Sequence, residues 1–202
     1  MGRARAAFIW LAFAIAVAAP IAAAATSPLL QWRDTIYVAA GFAGIVGLTL
    51  MLAQPLLIGG RLPGLAARQN RRLHRWIGAA LVIAVAAHVA GLWITSPPDV
   101  IDVLLFRSPT PFSVWGVVAM WALLAAALLA AFRRKLRLKP RAWRICHTSL
   151  AVTIVTGTVV HALLIEGAME TVTKIALSTL VVLATAKVVG DLWLRQRRAP
   201  GR

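Results

Sequence analysis

Residues 73–91 read LHRWIGAALVIAVAAHVAG and residues 144–164 read RICHTSLAVTIVTGTVVHALL. Each is a long apolar run with one histidine near its start and another fourteen positions on: His74 and His88 in the first, His147 and His161 in the second. The chain has four histidines, so these are all of them. On an α-helix, fourteen residues turn to within about 40° of four full turns and rise about 21 Å. Both members of a pair therefore share one helix face and are separated by much of a roughly 30 Å hydrocarbon core.

The rest of the chain fits that membrane setting. It has 202 residues, of which 60% are hydrophobic and only 14% charged. A soluble domain carries about 25% charged residues, so a water-soluble enzyme and a disordered tail are both excluded. A span needs about 20 apolar residues. Six such runs lie at 7–25, 35–58, 73–95, 112–132, 143–165 and 172–194. Breakers fall between them: Pro63 and Gly64, then Pro97, Pro98, Pro109 and Pro111, then Pro140. Arg3, Arg5 and the Ala-rich end of the first run also resemble a signal peptide, but its length favours a retained helix. The expectation is an all-α polytopic protein forming one domain over 1–202.

The basic residues set the orientation. Arg3 and Arg5 precede the first span. Arg61, Arg68, Arg71, Arg72 and Arg75 lie around the second connection. Arg133, Arg134, Lys135, Arg137, Lys139, Arg141 and Arg144 lie around the fourth. Arg195, Arg197, Arg198 and Arg202 follow the last span, making eighteen on one side. The other side carries Arg33, Arg107 and Lys174, with Asp34, Asp99, Asp102, Glu166 and Glu170. The positive-inside rule then places both termini in the cytoplasm, of a bacterial inner membrane on this reading. It also explains the excess of Lys and Arg without invoking nucleic acid.

Spans three and five run in the same direction, so His74 lies level with His147 and His88 with His161. Two imidazoles level on facing helices can fill the two axial positions of one haem iron, and two levels make two stacked haems. A lone intramembrane histidine can instead bond a neighbouring helix or relay protons. Neither alternative accounts for two equal spacings on two same-direction helices. Zinc fits poorly, because no two histidines lie within one turn and no carboxylate adjoins them. The single cysteine, Cys146, excludes an internal disulfide and a Cys₄ iron–sulfur site, and reads as a small buried residue.

Two H-x₁₃-H pairs on the third and fifth of six helices, with the RRLHRWIG approach to the third, resemble the ferric reductase-like transmembrane domain. Ferric reductases, NADPH oxidases and the haem-binding membrane subunit of the periplasmic methionine sulfoxide reductase system share that domain. The resemblance implies two b-type haems with bis-histidine ligation and electron transfer across the bilayer. His74 and His147 would hold the inner haem, His88 and His161 the outer. The full-length reductases and oxidases carry a flavin and nicotinamide domain after the membrane part, which this sequence does not show. The methionine sulfoxide reductase subunit typically lacks the inner histidine on span three, which is present here as His74.

Other residues carry weaker signals. Arg75 and Arg144 are candidates to pair with inner-haem propionates, since guanidinium suits carboxylate, although most of that cluster serves topology. The cluster could also dock an acidic donor. Lys187 and Asp191 are spaced for an i,i+4 ion pair with the lysine snorkelling. Trp93, Trp115 and Trp143 read as interfacial anchors. An aromatic bridge between the haems would come from another span, such as Trp121. Gly41, Gly44 and Gly47 read as close helix packing.

The function expected is an oxidoreductase component carrying electrons from a cytoplasmic donor to an external acceptor such as a ferric chelate. The alternatives are an electron-transfer subunit serving a periplasmic redox partner, and a haem-free transport or scaffold protein. With no nucleotide-binding motif and loops of about 16 residues, the donor is expected to be a separate flavin reductase or quinol.

Overall fold

The computed structural model describes residues 2–197, with side chains through Leu194. Arg198 and Arg202 of the last basic cluster lie outside the described residues. Among the described residues are eight α-helices and no strand: α1 Arg3–Ala25, α2 Thr35–Ile58, α3 Ala67–Thr95, α4 Pro97–Leu104, α5 Ser113–Ala131, α6 Arg133–Leu136, α7 Pro140–Leu164 and α8 Thr171–Arg197. Six of them, α1, α2, α3, α5, α7 and α8, are long and apolar enough to cross a membrane. The chain is thus an all-α multi-pass membrane protein.

The ends of these helices follow from local chemistry. Asp34 caps α2, its carboxylate accepting the N–H of Ile36 at 2.7 Å and of Tyr37 at 3.2 Å. At the far end Gly60 adopts φ +63°, and Arg61 N–H reaches the Leu56 carbonyl at 2.9 Å while Gly60 N–H reaches that of Leu57 at 3.1 Å. That is a Schellman stop, which a side chain at Gly60 would strain. Glu170 caps α8, accepting from Val172 and Thr173 N–H, and those bonds hold its carboxyl below the ordinary range.

Two connections differ from the sequence expectation. Residues 96–111, whose prolines read as a breaker loop, contain the short helix α4. Pro97 and Pro98 occupy its first turn, where a missing N–H has no intrahelical partner to lose. Span three begins at Ala67 rather than 73, because the arginine-rich segment before His74 is itself helical.

α2 packs antiparallel to α3, and α5 packs antiparallel to α7; α8 lies against α2 and α7, with α1 outside against α2 and α8. Burial comes from Leu48, Met51 and Leu52 of α2, Leu81 of α3, Ala122, Leu123 and Ala126 of α5, Ile154 and Val159 of α7, and Leu177 and Val181 of α8. In lipid this interdigitation contributes through dispersion rather than through release of water. Polar ties add to it. The expected Lys187–Asp191 pair forms at 2.5 Å, and Arg61 joins the same carboxylate at 2.8 Å, tying the end of α2 to α8. Lys174 is buried and donates to the Ile165 carbonyl at 2.6 Å, placing an ammonium at the C-terminal end of α7 where the helix dipole favours a cation.

Candidate functional site

α3 and α7 are not a closely packed pair among the described residues; each is held by its own partner, α2 or α5. Their histidines nevertheless meet across the interior. The His74 and His147 rings have centroids 6.3 Å apart with planes crossed at 78°. The His88 and His161 rings are 6.5 Å apart and crossed at 81°. The structure therefore brings together the two level pairs expected from the sequence.

These separations suit a shared metal. Metal–imidazole bonds are about 2.0–2.1 Å long, so each pair could hold one ion between its two rings. No third His, Cys, Asp or Glu joins either pair among the described residues. A pair of imidazoles with no further donor beside it fits a haem, whose porphyrin would supply the remaining ligands of the iron.

The outer pair is oriented by the backbone. His88 Nδ1–H donates to the Ala40 carbonyl of α2 at 2.7 Å, and His161 Nδ1–H donates to the Phe112 carbonyl at the start of α5 at 2.9 Å. A carbonyl only accepts, so Nδ1 carries the proton in each ring and Nε2 keeps the lone pair a metal needs. Such a bond fixes ring orientation and raises ligand basicity.

Each accepting carbonyl is followed four residues later by a glycine, Gly44 or Gly116. On a helix the side chain at i+4 leans back over the carbonyl of residue i. A Cβ on Gly44 would lie 3.1 Å from His88 Nδ1, and one on Gly116 would lie 2.7 Å from His161 Nδ1. The two glycines thus open their helix flanks so that an imidazole can reach a backbone carbonyl already within a helix. Sequence reasoning took Gly44 for general helix packing and did not single out Gly116.

The inner pair is held differently. Neither His74 Nδ1 nor His147 Nδ1 has a hydrogen-bond partner, although both atoms are buried. His147 is instead stacked on Trp143, with centroids 5.1 Å apart and planes 10° apart, and the Arg133 guanidinium lies 4.7 Å from the centroid of a Trp143 ring. Trp143, expected to be an interfacial anchor, is therefore part of the site. Its i,i+4 spacing to His147 was the available signal. Arg75 and Arg144 sit near the inner pair in sequence and are both exposed. Trp121 is 56% exposed on α5 and pairs with none of the four imidazoles. Cys146 is exposed rather than buried, because one step along α7 turns it about 100° away from His147.

An apolar groove of about 440 Å³ lies between α3, α4 and α5, lined by Val85, Val89, Trp93, Val100, Met120 and Leu123 among others, and none of the four histidines lines it.

Six spans with two crossed imidazole pairs on facing helices define a helical, multi-pass membrane protein. The family described as Ferric reductase like transmembrane component matches residues 41–158, from α2 into α7. The chain belongs to that family, a redox family of membrane proteins that is generally haem-binding. The match includes His74, His88 and His147 and stops three residues before His161. No curated protein and no solved structure matches the sequence.

Proposed function

We propose that this chain is a di-haem b-type cytochrome that moves electrons across a bacterial inner membrane. The supporting observation is that the four imidazoles pair across the bundle, His74 with His147 at 6.3 Å and His88 with His161 at 6.5 Å, where each pair could hold one haem iron. When bound, haem supplies the one-electron couple that amino-acid side chains lack. The protein's own part is to present Nε2 of His88 and His161 through the carbonyls of Ala40 and Phe112, to space the two pairs by about 21 Å along the helices, and to exclude water with an apolar bundle. The basic end is cytoplasmic on this reading and faces the donor, a flavin reductase or quinol. The acceptor, a ferric chelate or a periplasmic redox protein, meets the opposite end. Arg75 and Arg144 would neutralise propionates at the inner level on this reading.

Sealed proteoliposomes test transport directly. With ferricyanide trapped inside and dithionite added outside, vesicles carrying haem-loaded protein bleach the dye well ahead of protein-free vesicles, and His88→Ala vesicles lose that advantage. A haem-free scaffold or transporter predicts equal rates in all three.

A further inference from the structure

The two ligand pairs are oriented by different devices, and the inner device has a residue no motif identifies. Each outer imidazole is fixed by a hydrogen bond from Nδ1 to a helix carbonyl, whereas His147 Nδ1 is buried without one. A histidine ring with no Nδ1 partner is free to turn about its χ2 bond, a broad, shallow torsion. What opposes that turning at His147 is Trp143, one helical turn earlier, whose indole lies nearly parallel to the imidazole at 10° and 5.1 Å. The indole is in turn covered by Arg133, a cation–π contact at 4.7 Å that anchors it to the short helix α6.

We propose that Trp143 is a positioning residue that sets the plane of His147, and through it the 78° crossing of the inner imidazole pair. The inference rests on the haem reading above. It assigns to stacking, at the inner level, the work that backbone hydrogen bonds do at the outer level. Offset aromatic stacking is sufficient for this, its contribution beyond burial being comparable to the net contribution of an ordinary hydrogen bond.

The crossing angle has its own readout. Crossed axial imidazoles leave the oxidised low-spin iron with a strongly anisotropic paramagnetic resonance signal, and planes turned toward parallel give a rhombic one. The protein as purified from haem-replete cells should show two anisotropic signals, the inner one assigned as that lost in His74→Ala. In Trp143→Ala the inner signal should shift to a rhombic form while the outer signal stays unchanged, an internal check that the bundle is folded. Trp143→Phe keeps a ring that can stack and should restore the anisotropic form. An inner signal unchanged in Trp143→Ala would overturn the proposal. So would loss of the inner signal in both variants, since an aromatic ring at 143 would then not be what orients His147. Absence of any haem signal from the unsubstituted protein would defeat the haem reading itself.

Discussion

Replacing His88 or His161 with alanine removes one and the same component of the haem spectrum, and replacing His74 or His147 removes the other. This is the largest single-residue effect expected, because on the haem reading each imidazole would supply half of an axial set. The structure fixes the couples across helices, 74 with 147 and 88 with 161, whereas pairing along a helix would have to bridge about 21 Å. Each variant should retain about half of the bound haem, and the residual redox titration should fit one midpoint instead of two. A His74→Ala variant that lost the same component as His88→Ala would show that the couples are wrong.

The second large effect is expected at a residue that touches no metal. In Gly116→Ala the new Cβ would be 2.7 Å from Nδ1 and 2.8 Å from Cε1 of His161, closer than carbon tolerates. The ring must move, and the hydrogen bond to the Phe112 carbonyl, the other restraint on it, must lengthen or break. Loss of such a supporting bond typically costs 10–100-fold in metal affinity. The outer component of Gly116→Ala should therefore pass to apomyoglobin about 10–100 times more readily than that of the unsubstituted protein. Gly44→Ala is the graded control. Its Cβ would lie 3.1 Å from His88 Nδ1, a contact relieved by a few tenths of an ångström, so a smaller effect on the same component is expected. Equal haem retention in Gly116→Ala and the unsubstituted protein would mean that the carbonyl bond is not what holds His161.

Much of this arrangement was legible in the sequence because it is periodic. Six apolar runs gave the spans, and the equal fourteen-residue spacing put His74 opposite His147 and His88 opposite His161 without knowledge of any contact. The Lys187–Asp191 pair was legible for the same reason, both residues lying on one helix. Part of what was not legible depends on partners remote in the chain. Arg61 joins Asp191 from 130 positions away. Gly44 and Gly116 look like any small residue in a membrane helix until an imidazole from another helix is placed against them. Trp143 reads as an interfacial anchor near a span end, and the structure adds its stack on His147 and the Arg133 guanidinium over it. The helix within 96–111 was hidden by its prolines, which stop a helix in mid-course but start one at its first turn.

Haem content per chain tests the central claim most directly. Protein purified from haem-replete cells, assayed by pyridine haemochrome against amino-acid analysis, should give two b-type haems per chain, released by acidified acetone because no C-x-x-C-H is present to attach them covalently. A ratio of two, falling to one in His161→Ala, is the predicted result. A preparation from such cells that carries no haem would contradict the account.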